Sequence, residues 1–245
     1  MRIAIVSTPR SGNTWVRHVL RDALALSDFA VHNYRDLPAV LPERVILQLH
    51  WYREPGFQAF LRDSGFRVVV LGRHPLDVLL SVLHFVRREP LTARWLEGNA
   101  ELPPDLASET PFSDGFERYA TSWGAENLLS ISYQWWFEPS AVRSRYDDLV
   151  GHPQAAFQRL VADLGGDCSR LEAALATTSF EVLRATPNRH GWQGTPELWR
   201  QLILPAAARR IQQRHARVFE ALGYRVPFYC LTKRHAEQAW ARLAL

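Results

Sequence analysis

The chain has 245 residues, enough for one sizeable core, and 47% hydrophobic with 22% charged residues is ordinary for a soluble globular protein. A formal net charge of +4 favours an anionic partner. The charge is too mild and too dispersed for nucleic acid, and basic runs interleaved with aromatics are missing. Two cysteines, Cys168 and Cys230, give neither a disulfide framework nor metal-ligand spacing, so a reducing cytoplasmic setting and no metal are expected. No stretch of about 20 apolar residues occurs, so no membrane span is expected.

Strand-like runs at 3–7, 45–50, 67–72 and 142–146 alternate with helical stretches, the pattern of parallel βαβ units. The first run breaks at Thr8-Pro9 into the turn Arg10-Ser11-Gly12-Asn13. Trp15, Val16, Val19, Leu20, Ala23 and Leu24 then follow at helical spacing. A strand, a tight turn and a helix in that order make an anion site, because the first-turn N–H groups point outward and the macrodipole favours negative charge. Arg10 adds a cation, Ser11 and Thr14 add hydroxyls, and Gly12 permits close backbone approach. An ATPase phosphate loop needs G-x-x-x-x-G-K-[ST]; none occurs, and the one lysine of the chain is Lys233.

The run Val45 to Leu49 delivers His50 to the carboxyl end of a strand, where open α/β sheets bind ligands. An imidazole there can take a proton near neutral pH. Val68 to Leu71 reads as a strand buried on both faces, followed by Gly72-Arg73-His74 and by Pro75 in the first turn of a helix, with Asp77 at its positive end. Ser81 lies two helical turns from Arg73. The stretch 88–116, rich in Pro and acidic residues, is expected to be a lid or acceptor loop. Further on, Tyr146 ends a strand, a helix runs from about His152 to Leu164, and a long helix runs from Pro205 to about Gly223. A capping segment, 225–245, has a helix from His235.

The string Thr8-Pro9-Arg10-Ser11-Gly12-Asn13-Thr14-Trp15 resembles the first cofactor motif of the sulfotransferases, Pro-Lys-Ser-Gly-Thr-Thr-Trp. Arg73-x-x-x-Asp77-x-x-x-Ser81 resembles their second motif, whose Arg and Ser hold the 3′-phosphate of 3′-phosphoadenosine-5′-phosphosulfate (PAPS). Three more segments follow in the family's order. Tyr146-Asp147-Asp148-Leu149 is similar to Tyr-Glu-Asp-Leu, whose Tyr contacts the nucleotide. Thr178-Ser179-Phe180 is similar to the Thr-Ser-Phe that lies against adenine. Arg189-His190-Gly191 with Gly194 is similar to the Arg-Lys-Gly-x-x-Gly loop that closes over the 3′-phosphate. The family's Lys-Thr-His segment falls where Gln48-Leu49-His50 stands, and its His deprotonates the acceptor.

The resemblance implies an α/β fold of the P-loop NTPase-like kind, three layers α/β/α around a central parallel sheet, in a single domain over 1–245. It implies PAPS as co-substrate, gripped by Arg10, Ser11, Gly12, Asn13, Thr14, Trp15, Arg73, Ser81, Tyr146, Thr178, Ser179, Phe180, Arg189, His190 and Gly191. Catalysis falls to His50 as base and to Arg10, and the acceptor is a small molecule, glycan or natural product bearing a hydroxyl or amine. The departures are Arg10 and His190 for lysines and Gln48 for a second lysine, which should weaken assistance to the leaving oxygen. Two other readings remain: a small-molecule kinase on the same kind of sheet, and a catalytically weak protein that keeps the nucleotide pocket. Sequence leaves acceptor and oligomeric state open.

Overall fold

The computed structural model describes residues 1–88, 102–179, 182 and 192–243. They divide into two compact units: Met1–Arg73 with Ile131–Gly194, and His74–Ser130 with Thr195–Leu245. The first unit carries the sheet. Its described strands are β1 (Arg2–Val6), β2 (Ser27–Ala30), β3 (Val45–Leu49), β4 (Phe66–Gly72) and β5 (Val142–Arg145), in the order β2-β3-β1-β4-β5 and all parallel. A parallel sheet is buried on both faces, which is why β1 and β4 read as unbroken apolar runs rather than alternating ones.

One face of this sheet carries Ile3, Ile5, Ile46, Val69 and Leu71 against α1 (Asn13–Leu24) and the helices α6 (Tyr146–Gly151), α7 (Pro153–Asp163) and α8 (Leu171–Thr177). All six apolar positions of α1 anticipated from helical spacing are buried. The other face carries Ala4, Val6, Leu47, Leu49, Val68 and Val70 against Phe57 and Leu61 of α2 (Pro55–Asp63) and against Ile131 and Trp135. The result is the expected three-layer α/β/α arrangement around a parallel sheet. Chain order jumps from β3 across β1 to β4, so the loops leaving these strands open a crevice at their carboxyl ends.

Sequence reading passed over β2, because Ser-Asp-Phe-Ala has neither an apolar run nor alternation. It is a half-exposed edge strand held by β3 alone, Ala30 standing beside Gln48.

The second unit is helical: α3 (Pro75–Arg88), α4 (Asp114–Ala120), the first part of α5 (Trp123–Trp136), α9 (Trp199–Leu202), α10 (Pro205–Arg214), α11 (Ala216–Leu222) and α12 (Lys233–Leu243). Pro75 opens α3 as expected. His74 caps it, its Nδ1 accepting the Leu76 N–H at 3.3 Å, so Nε2 carries the proton and donates to the Arg225 carbonyl. Asp77 does more than complement the macrodipole. Its two carboxylate oxygens accept the backbone N–H groups of Glu197 (2.8 Å) and Trp199 (3.0 Å), which tethers α9 to α3. The single helix expected from Pro205 to Gly223 is broken at His215, whose ring donates from Nε2 to the Ala120 carbonyl at 2.7 Å. Of the expected lid at 88–116, residues 89–101 lie outside the described residues, and the remainder forms a 3-10 turn, Leu106–Ser108, and the start of α4. The C-terminal segment packs within this unit: Ala236, Ala239 and Trp240 are buried, and the Tyr229 hydroxyl donates to the Ile203 carbonyl.

Because Asp77 is buried and holds two backbone amides, Asp77→Ala should cost roughly 3 kcal/mol of stability, read as a lowered urea midpoint with an unchanged slope.

Candidate functional site

The site grows from the place where β1 leaves the sheet. β4 continues past the end of β1, and there the Leu71 N–H is caught by the Ser7 hydroxyl at 2.6 Å instead of by a neighbouring strand. Ser132 completes the closure. Its Oγ donates to the Leu71 carbonyl (2.8 Å) and accepts the Thr8 N–H (2.8 Å), while its own N–H donates to Thr8 Oγ1 (3.0 Å). Asn13 Nδ2 then donates back to the Thr8 carbonyl at 3.0 Å, closing the turn between β1 and α1.

Within that turn Arg10 has φ 67° and Gly12 φ 93°, both in the left-handed region. At Gly12 the requirement is steric as well: a Cβ would sit 2.7 Å from Cδ2 of Tyr146, whose ring lies against the loop. Gly12 is the N-cap of α1, with no side-chain cap and no acidic residue in the first turn, so the positive end of the helix is left for an anion.

Two guanidinium groups share this end of the sheet. Arg73 donates from Nη1 to the Arg10 carbonyl (2.7 Å) and stacks over the Tyr146 ring at 4.3 Å. The Arg10 guanidinium is held down to about 10 by burial first and the Arg73 charge second, with Tyr146 acting the other way. Half-buried neighbouring cations call for a polyanion. The orphaned polar atoms agree, since Ser11 Oγ and Arg73 Nε are buried without a hydrogen-bond partner among the described residues. The cradle therefore fits phosphate-type groups.

His50 follows β3 directly and is buried. Its Nδ1 lies 2.8 Å from the Ser7 carbonyl, which can only accept, so Nδ1 carries the proton and Nε2 the lone pair. Gln48 Nε2 lies 3.4 Å from that Nε2, and the His32 ring stacks on His50 at 6.2 Å between centroids. Burial lowers the His50 imidazole to about 4; His32 and Arg10 act in the same sense, and the Ser7 bond opposes them. At neutral pH the ring is uncharged and able to accept a proton.

The first unit thus brings together Arg10, Ser11, Gly12, Asn13, Arg73 and Tyr146, with Thr14 in the first turn of α1 and His50 tied to the loop through Ser7. Trp15 is core, edge-on to Phe157 at 5.1 Å. Thr178 and Ser179 serve the backbone: the Thr178 hydroxyl donates to the Ala174 carbonyl at 2.7 Å, and Ser179 Oγ accepts the Val182 N–H at 3.4 Å. Ser81 is buried in α3, in the second unit. Phe180, Arg189, His190 and Gly191 lie outside the described residues. Sequence reasoning missed Ser7, Ser132 and His32, none of which stands in a recognisable motif. Among the described residues no three metal-ligating side chains cluster, and no helix is long and apolar enough to cross a membrane.

Mouse sulfotransferase SULT7A1 complexed with PAP superposes with a TM-score of 0.67 at 16% identity, over 89% of this chain and 84% of that one. The fold is that of a sulfotransferase. The sulfotransferase domain from the curacin biosynthetic pathway gives 0.53 at 17% identity, over 92% and 98% of the two chains. Retinol dehydratase in complex with androsterone and the inactive cofactor PAP gives 0.56 at 14% identity, over 93% and 84%. In sequence, human (Homo sapiens) sulfotransferase 6B1 is 21% identical over 218 residues, 81% of this chain and 67% of that protein. No family model matches the chain. The resemblance drawn from the five sequence segments is borne out as a likeness to the sulfotransferases.

Two outcomes follow from this geometry. Gly12→Ala places a Cβ against Tyr146 at a positive φ, so it should cost roughly 1–3 kcal/mol of stability, read as a lowered Tm by differential scanning fluorimetry. The His50 C2 proton resonance should titrate near 4 instead of 6.5 in the ligand-free protein. Between those two values the unfolded chain binds the proton and the folded chain does not. The contribution of His50 to stability is therefore complete above pH 6.5 and is lost as pH falls towards 4.

Proposed function

We propose that this protein is a sulfotransferase that moves a sulfuryl group from PAPS to a hydroxyl or amine acceptor, with His50 as the general base, and that both units belong to one sulfotransferase domain. The observation that carries the reading is the 2.8 Å bond from His50 Nδ1 to the Ser7 carbonyl. It ties a neutral, correctly tautomerised imidazole to the same short loop that opens the anion cradle. The likeness to PAP-bound sulfotransferases over most of the chain supports the same activity.

Arg10, Ser11, Gly12, Asn13, Thr14 and the first-turn N–H groups of α1 would hold the 5′ side of the co-substrate. Arg73, with Ser81, Arg189, His190 and Gly191, would hold its 3′-phosphate, and Trp15, Tyr146, Thr178, Ser179 and Phe180 would line the nucleotide. When bound, PAPS supplies the activated sulfuryl group. His50 takes the acceptor proton on Nε2 while the Ser7 carbonyl keeps Nδ1–H in place and stabilises the imidazolium that forms. Arg10 meets charge that develops on the leaving side, in a buried setting where a fixed cation acts strongly. Gln48 has no charge to add there. Positioning and electrostatic stabilisation supply the rate, as in phosphoryl transfer.

His50→Ala should leave the rise in Tm induced by adenosine 3′,5′-bisphosphate nearly unchanged while kcat falls by roughly 10²–10⁴-fold, the usual worth of a positioned proton acceptor. A folded variant turning over PAPS at the parental rate would remove His50 from the mechanism. Stabilisation by ATP with Mg²⁺ equal to that by the bisphosphate would turn the reading towards a kinase.

A further inference from the structure

Gln48 lies on β3 and His50 follows it two residues on in the same extended run, so their side chains project to the same face of the sheet, the one that carries Ile46 and Ile5. A carboxamide on that apolar face needs a reason. One end of it is accounted for: with Nδ1–H committed to the Ser7 carbonyl, His50 Nε2 is an acceptor, and the Gln48 NH2 donates to it. The other end is not. Gln48 Oε1 is buried and has no hydrogen-bond partner among the described residues. An amide oxygen withdrawn from water and left unpaired is costly, and such an atom beside a catalytic base is best explained by a donor that comes with the substrate.

The chemistry of that donor follows from the placement. The reacting hydroxyl must approach Nε2, where it replaces the Gln48 NH2. A carboxamide oxygen lies about 2.3 Å from its own nitrogen by covalent geometry. The group that reaches Oε1 must therefore come from the atom next to the reacting carbon, and it must carry a hydrogen. A phenol, a simple alcohol or a sterol with one isolated hydroxyl presents no such group, and would leave Oε1 unpaired in the bound complex. A vicinal diol or an amino alcohol presents one. Resting on the sulfotransferase reading, we propose that Gln48 is a specificity-determining residue that selects acceptors with a second hydrogen-bond donor adjacent to the reacting hydroxyl, the arrangement found in sugar rings.

His50 would take the proton of the reacting hydroxyl at Nε2, and Gln48 Oε1 would accept a hydrogen bond from its neighbour. The pair of contacts fixes which face of the ring meets the base. The half-buried Trp51, next in sequence, offers an indole whose Nε1–H is also buried and unpaired, a second polar handle beside a flat apolar surface. A hydroxyl-bearing ring suits that combination.

Initial rates with PAPS on methyl hexopyranosides, on their monodeoxy analogues and on 2-naphthol test this. The parent should favour the glycoside over the analogue lacking the neighbouring hydroxyl by about tenfold or more in kcat/KM, carried mainly by KM. Gln48→Met, similar in size and unable to accept, should bring that ratio to within about twofold of unity. Gln48→Glu, which still accepts, should retain the preference. Independently of turnover, the additional rise in Tm given by the glycoside in the presence of adenosine 3′,5′-bisphosphate should vanish in Gln48→Met, while the shift given by the bisphosphate alone persists. An unchanged ratio in Gln48→Met, a parent that prefers 2-naphthol, or turnover of neither class would overturn the inference and leave the sulfotransferase reading in place. Failure of the parent to bind the bisphosphate would overturn that reading, and this inference with it.

Discussion

Where β1 ends before β4 does, backbone groups that would continue the ladder are left inside the protein, and the hydroxyls of Ser7, Thr8 and Ser132 satisfy them. Orphaned backbone groups at such depth are not tolerated, so the chain has few ways to leave the sheet here. That closure fixes the start of the turn, and the turn fixes everything after it. The Ser7 carbonyl is left pointing at His50, and the helix α1 is left with its positive end open. The placement of His50 and the anion cradle are thus consequences of one solution to a local hydrogen-bonding problem, and they cannot drift apart without breaking it.

Among the described residues the cradle's side-chain cations are guanidinium groups. A carbonyl of Arg10 and the Tyr146 ring hold Arg73, and the Arg10 guanidinium feels its charge. A guanidinium stays ionised where an ammonium in the same burial would be inclined to discharge, and its planar fork can meet two oxygens at once. The whole-chain preference for Arg over Lys therefore leaves the electrostatics of the site intact while changing its geometry from point charge to fork. Gln48 is the exception, since there a neutral donor and acceptor stand where the family resemblance expects a cation.

Much of this was legible beforehand, for a physical reason. Strands buried on both faces must be apolar throughout, so β1, β3 and β4 announce themselves, and the abrupt turn at Pro9 to Asn13 marks the anion site. Features set by tertiary context did not show. The edge strand β2 has no pattern because half of it faces water. The break at His215 is made by a ring bonding to a carbonyl 95 residues away, while the helical spacing continues through it. Spacing along the chain likewise did not show that the Thr178 hydroxyl donates to the Ala174 carbonyl at the end of α8 and that Ser179 Oγ accepts the Val182 N–H. Asp77, read as a dipole partner, proved to be a tether, because its two amide donors lie 120 and 122 residues downstream.

The backbone of Arg10 carries a last consequence. A φ of 67° is a conformation that glycine adopts freely and a long side chain enters at a cost of order 1 kcal/mol. Selection for thermal endurance alone would drift towards glycine at this position, relieving the strain and discarding the cation. Arginine at this position accepts that strain and in return places a cation beside Arg73. Laboratory evolution for heat tolerance alone would find position 10 among its first gains and would lose that cation in taking it.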